Sequence, residues 1–503
     1  MIFPYLTVLA GLPLLGALIA AMSKAKAARV VALVFSLLTL VYTGVVIWAS
    51  KSGEAIYESF EWLPMIGATY SLDMDGMGLV MVAMTVLLVP VVLIAEWKTG
   101  LGGKGRFSSK AFVALVLLVE SFSLFCFLSV DLVLFYIFFE ATLIPMFFLI
   151  GGWTGKKGKG AIKFLLFGLA GGLIMLFGVI GTAVLSSRSG APSLLFSDLA
   201  NAGLPGNTVT KVIFLSFFIA FALKAPMVPG HIWLPDAAQE STPGGAALMV
   251  GILDKLGTFG MIRVCIGIFP GESAWATPVI LILALVSIFY GAFAAIGSKN
   301  LMRLVAYTSI SHFGFMVLGI FALTSASLTG SIFYMVNHAL STGALYLVIG
   351  YVIARRGSAD IGDFGGLAKI APLAAGFTLV AGLASCALPG TSSFVSEFMV
   401  MSGTWSRYPW IAGIAALGVV FAAVYILWTY QRMYTGPVPD EVAEHVKNDL
   451  TWRERVALIP LVLAFLVLGF WPQPALDEIA PTTDAYMVSA SATDPAVEIE
   501  GGR

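Results

Sequence analysis

The chain has 503 residues, of which 59% are hydrophobic and only 11% are charged, whereas soluble domains carry about 25% charged residues. Its 28 basic residues balance its 28 acidic residues, which argues against a strongly basic surface for nucleic acid. Cys126, Cys265 and Cys386 lie far apart in apolar segments and form no CxxC motif, so the sequence predicts neither an iron–sulfur site nor a disulfide framework.

The first apolar segment begins near the N-terminus and is followed, not preceded, by basic residues, namely Lys24, Lys26 and Arg29. A secretory signal has the opposite order, with positive charge before its apolar core. We therefore predict a retained first helix whose N-terminus lies outside, because basic residues favour the cytoplasmic side of a membrane.

Further apolar segments follow along the whole chain, and each is close to the roughly 20 residues that a helix needs to cross the hydrocarbon core. The sequence therefore predicts an all-α polytopic membrane protein with about fourteen transmembrane helices. The predicted spans lie near residues 2–22, 30–49, 76–95, 111–129, 132–150, 162–185, 210–238, 245–268, 278–297, 303–322, 328–354, 371–402, 410–431 and 456–471.

The distribution of basic residues supports this topology. The predicted cytoplasmic loops, with Lys163 and Arg303 at helix ends, hold 20 of the 28 Lys and Arg residues, and the predicted outside segments hold five. This asymmetry agrees with the positive-inside rule. The segment after residue 472 is acidic and poor in apolar residues, so we expect a loosely attached outer tail.

Two of the predicted spans contain helix-breaking residues. Pro226, Pro229 and Gly230 interrupt the seventh span, and Pro389-Gly390 interrupts the twelfth. Proline removes a backbone donor and clashes with the preceding turn. At membrane depth such breaks are tolerated only inside protein or beside a wet cavity. Two incidental proline kinks are the alternative explanation.

The two breaks occupy the fourth place in each of two groups of five spans, which favours an inverted-repeat transporter. Because five is an odd number of crossings, the second group starts on the opposite side of the membrane and is therefore inverted. The predicted organisation is three N-terminal helices in 1–110, a first repeat in 111–268, a second, inverted repeat in 278–433, and a last helix with an acidic outer tail in 434–503.

Titratable residues recur within the predicted spans, although a charged side chain at a helix centre costs about 2.5–3.5 kcal/mol on insertion scales. Taken singly, each acid or lysine has a structural ion pair or a snorkelling side chain as its alternative explanation, and each histidine has a hydrogen-bonded position in the core. Together they suggest a lateral row that passes protons through water when burial and neighbouring charges bring pKa values toward neutrality. The residues are Glu120, Glu140, Lys224, Lys255, His312, His338 and Glu397.

Several of these residues lie in distinctive segments, which read "LFYIFFEATLIPMFFLIGGW", "KAPMVPGHIWLPDA", "LDKLGTFGMIR", "AYTSISHFGFM" and "ALPGTSSFVSEF". With these segments the sequence resembles the antiporter-like membrane subunits of respiratory complex I, the NADH:quinone oxidoreductase. The likeness runs over roughly residues 75–435.

The resemblance implies a proton path coupled to quinone reduction elsewhere in the complex, in a subunit with no redox centre, cofactor or metal of its own. It places FMN, iron–sulfur clusters and quinone in other subunits. The implied partners are the other membrane subunits, especially the antiporter-like L and N subunits, and membrane lipids, but no nucleic acid. The implied location is the bacterial inner membrane, with both termini outside.

The resemblance also implies roles for individual residues, carried over by matching motif. Glu140 and Lys224 would form a coupled ion pair, and Lys255 would be the central relay. His312 and His338 would be the hydrated continuation of that relay.

Glu397 would be the terminal acid on the second broken helix, and Glu120 a further acid on the fourth helix. Within the family the likeness is closest to M-type members, because Glu397 stands where the L and N types have lysine and Lys255 where the L type has histidine. The sequence also departs from the family pattern. Gly230 replaces the usual aromatic residue, and Asp254 directly precedes Lys255, which leaves the resting protonation of Lys255 open.

Two other functions remain possible from the residues alone. The first is a Na⁺ or K⁺/H⁺ antiporter subunit of the Mrp type, which shares this family. The second is a purely structural membrane scaffold, which the row of buried charges disfavours.

Overall fold

A computed structural model describes residues 3–100, 106–155, 158–188 and 192–495 of the chain. Within them the protein is mostly helical, with one small sheet. The α-helices are α1 (Tyr5–Met22), α2 (Ala25–Lys51), α3 (Gly76–Ala95), α4 (Ser109–Leu128), α5 (Leu132–Ala141), α6 (Leu143–Gly151), α7 (Lys159–Ser187), α8 (Phe196–Asn201), α9 (Thr208–Lys224), α10 (Leu234–Glu240), α11 (Pro243–Leu248), α12 (Asp254–Gly260), α13 (Pro270–Gly297), α14 (Leu301–Phe321), α15 (Ser325–Arg356), α16 (Pro372–Ser385), α17 (Ser392–Arg407), α18 (Pro409–Tyr434), α19 (Asp440–His445), α20 (Trp452–Phe470) and α21 (Gln473–Ser489).

Polar caps start several of the long helices. The side chain of Asp75 accepts a hydrogen bond from the Gly78 amide at 2.8 Å at the start of α3. Asn207 and Thr324 form capping boxes at the starts of α9 and α15. Because the first amides of a helix have no partner within it, these side chains determine where each helix begins.

Eleven helices of the described residues are long and apolar enough to cross a membrane, and the count rises to twelve if the bent pair of α20 and α21 is one span. This confirms the predicted polytopic all-α architecture, but the count of fourteen stays a prediction. The difference between twelve and fourteen lies in the two interrupted spans. Their helices are short, because α9 has 17 residues, α16 has 14 and α17 has 16. Each piece is shorter than the roughly 20 residues of a full crossing.

Two contacts join helices that are distant in the sequence. Lys51 pairs with Glu478 at 2.5 Å. The Arg453 guanidinium donates to the Ile94 carbonyl at 2.8 Å. Segments predicted to lie on the same side of the membrane therefore meet, as a chain that alternates between two sides requires.

The helix α15 forms the centre of the fold and packs against α3, α11, α14, α16, α17, α20 and α21. A glycine allows its closest approach to α17. A Cβ atom on Gly330 would lie 2.8 Å from the Val400 amide nitrogen, so only glycine fits there. Small residues of this kind let membrane helices come into backbone contact.

The segment between α2 and α3 contains a hairpin that the sequence analysis did not predict. Strand β1 (Glu58–Leu63) pairs with β2 (Ala68–Leu72) in antiparallel register. The buried carboxylate of Glu58 accepts a hydrogen bond from the Leu6 amide at 2.5 Å. The hairpin thereby closes the start of α1, where free helix amides need acceptors.

The prediction of a loosely attached tail is wrong for residues 473–489, which form α21 and pack against α3 and α15. Ile479, Thr483 and Met487 are buried, and their spacing of four residues places them on one helical face. The overall acidic composition of the segment concealed this amphipathic pattern.

Candidate functional site

The seventh predicted span breaks where the prolines are. The helix α9 ends at Lys224, and a short 3₁₀ turn, Gly230–Trp233, precedes α10. The indole nitrogen of Trp233 donates a hydrogen bond to the Leu223 carbonyl at 2.9 Å. The break that Pro226 imposes is therefore confirmed, and one of the carbonyls that it frees has a partner.

The twelfth predicted span breaks in the same manner between α16 and α17. Gly390 adopts a φ of +92°, a conformation that favours glycine. The side-chain amide of Asn337 donates a hydrogen bond to the Ser392 carbonyl at 2.9 Å. This second break is also confirmed, and α15 holds it from the side.

The eighth predicted span has a feature that the sequence analysis did not predict. Two π-helical segments, Met249–Leu253 and Met261–Ile266, flank α12. The residues between them are Asp254–Gly260, which include the predicted relay Lys255. Insertions of this kind are rare in helices and are frequent at functional sites.

The amine of Lys224 points toward the junction of α5 and α6. Its Nζ donates to the Thr142 hydroxyl at 3.1 Å and to the Phe139 carbonyl at 3.4 Å. It also lies 4.5 Å from the centre of the Phe139 ring, which favours a cation. Thr142 is a partner that sequence reasoning missed, although it stands two residues after Glu140.

Glu140 is half-buried at the end of α5, and its Oε1 atom has no hydrogen-bond partner. None of the salt bridges within the described residues joins Glu140 to Lys224. The two side chains do interact electrostatically. The structure therefore shows the predicted pair as neighbours with the ion pair open.

Lys255 is fully buried and joins the eighth span to α15. Its Nζ lies 2.7 Å from Nδ1 of His338 and 3.0 Å from the Val250 carbonyl. The same amine lies 4.3 Å from the centre of the Phe313 ring. The predicted relay and one predicted histidine are therefore in direct contact.

The remaining predicted residues continue this line. The rings of His338 and His312 are 5.2 Å apart between centroids. Nδ1 of His312 lies 2.7 Å from the Tyr334 hydroxyl, which donates to Oε2 of Glu397 at 3.0 Å. Lys255, the two histidines, Tyr334 and Glu397 thus form one chain of buried polar groups across α12, α14, α15 and α17.

Tyr334 is the functional residue that sequence reasoning missed in this chain. The sequence feature that could have indicated Tyr334 is its position four residues before His338. This spacing places both side chains on one face of α15. The other ring nitrogen of His312 faces the hydroxyls of Ser385 at 3.3 Å and Tyr425 at 3.5 Å. The second helix break therefore also contacts this chain of groups.

Glu120 stands apart from the other six residues. It is fully buried in α4, and neither of its carboxyl oxygens has a hydrogen-bond partner within the described chain.

The described His, Cys, Asp and Glu side chains contain no group of three or more that could hold a metal ion. The arrangement is suited to moving protons between buried acids, amines and imidazoles.

The family model described as "NADH:quinone oxidoreductase/Mrp antiporter, TM" matches residues 129–424. NADH-quinone oxidoreductase subunit M of Mycobacterium tuberculosis is 42% identical, and the match covers 99% of this chain and 96% of the relative. A chain of respiratory complex I from Thermus thermophilus with bound NADH has a TM-score of 0.86 and 29% identity, and the match covers 96% of this chain and 99% of that one.

A chain of the Mrp complex from a Dietzia species has a TM-score of 0.84 over 97% of this chain and 100% of that one, but only 21% identity, which shows the shared fold alone. The predicted resemblance to the antiporter-like subunits of complex I, and to their M type, is confirmed by these matches. The chain belongs to the NADH:quinone oxidoreductase/Mrp antiporter family of membrane proteins.

Proposed function

We propose that this chain is a proton-translocating membrane subunit of an NADH:quinone oxidoreductase. The observation that carries the proposal is the line of buried groups from Lys255 through His338, His312 and Tyr334 to Glu397. Each member can bind or release a proton. His338 and Tyr334 lie on α15, His312 and Glu397 lie on helices that pack against α15, and the Lys255 amine reaches His338 of α15.

Proton movement along this line follows from its contacts. Protonated Lys255 donates to the free Nδ1 of His338, whose ring releases its other proton toward His312 across a gap that one water molecule can bridge. His312 passes a proton to the Tyr334 hydroxyl, and Tyr334 passes its own to Glu397. Before the next proton passes, each imidazole must return to its starting tautomer by ring reorientation or proton exchange through water, and the Tyr334 hydroxyl must turn back toward Glu397.

The pair of Glu140 and Lys224 controls entry to this line. In the open arrangement Thr142 and Phe139 hold the Lys224 amine. Closure of Glu140 onto Lys224 would stabilise the protonated amine, and opening would favour release of its proton. Glu120 supplies a further buried acid on α4, whose charge would depend on proton uptake because it has no counter-ion.

Within the proposed complex, this subunit works together with other subunits. The electrons pass through FMN, iron–sulfur clusters and quinone in other subunits, and the L and N antiporter-like subunits and membrane lipids are its neighbours. The subunit lies in a bacterial inner membrane with both termini outside, which agrees with the basic residues of the opposite loops. Residues 111–268 and 278–433 act as the two inverted repeats.

An Mrp-type cation/proton antiporter subunit is the alternative function, and at 21% identity only the fold supports it. The subunit M relative at 42% identity is the more direct match. The two functions differ in what drives the proton, since an antiporter exchanges it for Na⁺ or K⁺ without quinone reduction.

The test is proton uptake during quinone reduction by the whole complex in sealed vesicles. Lys255→Ala should assemble and lose proton translocation, because the line begins at this amine. Lys211→Ala is the control, since that lysine lies on α9 over the Trp275 ring, away from the line. Normal proton uptake with Lys255→Ala, or cation exchange without quinone reduction, would contradict the proposal.

A further inference from the structure

Asp254 is a buried acid that the proposed path does not use. It is fully buried, and neither of its carboxyl oxygens has a hydrogen-bond partner among the described residues. A buried polar group without a hydrogen bond is unfavourable, and more so if it is charged. Such a group in a membrane span is by default a functional candidate.

Asp254 is a titratable group close to both lysines of the path. It interacts electrostatically with both Lys224 and Lys255. The two amines have different partners, because Lys224 bonds to Thr142 and Lys255 bonds to His338. Asp254 therefore interacts with two amines that do not bond to each other.

The local backbone is arranged around this position. Asp254 is the first residue of α12, directly after the π-helical segment Met249–Leu253. A Cβ atom on Gly257 would lie 2.6 Å from the Ala225 amide nitrogen, so the turn after Asp254 packs directly on the break that follows Lys224. The acid and the break therefore lie on elements in backbone contact.

Unpaired polar groups also line the facing side of α15. The atoms without a hydrogen-bond partner are Nε2 of His338, Oγ1 of Thr342 and the Tyr346 hydroxyl. Their spacing of four residues places them on one helical face, and Tyr346 interacts electrostatically with Asp254. A row of buried polar groups that lack hydrogen-bond partners is suited to binding water. Such water would let protons move beside Asp254.

We propose that Asp254 is a further proton-carrying residue, which receives a proton from Lys224 and passes it to Lys255. The ammonium of Lys224 protonates the Asp254 carboxylate through water, leaving a neutral amine and a neutral acid. The acid then protonates neutral Lys255, and the carboxylate is restored. One proton moves from one lysine to the other, and this step rests on the proposed proton-translocating function.

The experiment uses the whole complex in sealed vesicles and measures assembly, quinone reduction and proton uptake. Asp254→Asn should assemble and lose proton translocation, because the amide keeps the shape but cannot carry the proton. Asp254→Glu should restore most of it. Glu272→Gln is the matched control, since Glu272 is a buried acid of α13 with an unpaired Oε1 outside this path. Proton uptake by Asp254→Asn equal to that of the unaltered complex overturns the inference.

A fixed negative charge beside Lys255 would also be lost in Asp254→Asn, so infrared difference spectra during turnover separate the two roles. Proton carriage predicts a carboxyl band that appears during turnover, shifts in Asp254→Glu and is absent from Asp254→Asn. A band that is the same in the unaltered complex and in Asp254→Glu overturns the inference, even if Asp254→Asn does not assemble. Lys224→Ala is measured in parallel. If Lys224→Ala retains proton translocation, the proposed path is contradicted. If Lys224→Ala loses translocation while Asp254→Asn translocates normally, only the role of Asp254 is contradicted.

Discussion

The amines of Lys224 and Lys255 are held by different kinds of partner. Each amine donates to a backbone carbonyl, but the second partner is a hydroxyl for Lys224 and an imidazole nitrogen for Lys255. The partners of Lys224 cannot accept its proton, so its release depends on neighbouring acids. His338 can accept a proton, which makes Lys255 the start of a relay.

Lys224 should act as a transferable proton site. We expect Lys224→Ala to lose proton translocation and most of the coupled quinone reduction. Lys224→Arg should fail as well, because a guanidinium does not release its proton near neutral pH. Proton uptake and quinone reduction in vesicles measure both effects, with Lys211→Ala on the same helix as the control. An arginine variant that translocates protons normally would show that only a fixed charge is needed.

Glu397 should need a titratable group, not a negative one. We expect Glu397→Gln to stop net proton translocation, because an amide can accept the Tyr334 hydrogen bond but cannot take up its proton. Glu397→Lys should retain part of the activity, as the lysine of related subunits at this position suggests. The ratio of protons to quinone is the measurement. Equal ratios for the two variants would exclude a role for protonation at 397.

At the scale of helices, a glycine of α7 determines where the Glu140 carboxyl lies. A Cβ atom on Gly172 would lie 2.2 Å from Oε2 of Glu140. The contact is with the end of a flexible side chain, so an added methyl group would displace the carboxyl group and leave the backbone in place. The packing of α5 against α7 thus decides whether Glu140 can reach Lys224.

Gly172→Ala should therefore assemble normally and yet translocate protons poorly, much as Glu140→Gln should. Proton uptake and the amount of assembled complex are compared for both variants. Gly168→Ala is the matched control on α7, because its Cβ would meet the apolar Leu143 side chain at 2.7 Å. If Gly172→Ala translocated protons as well as this control, the position of the Glu140 carboxyl would not matter.

The helix breaks were accessible to sequence reasoning because proline acts on its own turn of the chain. The π-helical segments around Asp254–Gly260 were not, since no residue in them is a specific signal for that geometry. Thr142 was missed for a related reason. Its role depends on the approach of α9 to the junction of α5 and α6, which local patterns do not encode.

At the scale of the whole molecule, Arg263 connects three distant parts of the chain. Its guanidinium forms a bidentate pair with Asp75, with distances of 2.8 and 2.7 Å, and donates to the Tyr486 hydroxyl at 2.9 Å. Asp75 also caps α3. The pair and the hydroxyl together attach α21 to the start of α3 and to the end of the eighth predicted span.

Tyr486→Phe should loosen α21 without affecting proton translocation. A hydrogen bond to a charged group contributes about 1.5–3 kcal/mol, and every 1.4 kcal/mol is a factor of ten in an equilibrium. We expect amide hydrogen exchange in 473–489 to become about ten- to a hundredfold faster. Tyr42→Phe is the control, since the Tyr42 hydroxyl has no hydrogen-bond partner in the described structure. Unchanged exchange would show that apolar packing alone holds the helix.

The sequence by itself determined the membrane class, the helical spans, the two breaks and the seven titratable residues within spans. These follow from properties of the chain over one to twenty residues, namely hydrophobic length, loop charge, proline chemistry and the free energy of a charge in hydrocarbon.

The tertiary structure decided which groups meet. Lys255 contacts His338, and Tyr334 joins His312 to Glu397. Gly330 contributes by letting α15 come into backbone contact with α17, which carries Glu397. Contacts between residues 22 to 83 positions apart depend on the register of packed helices, which no local segment specifies.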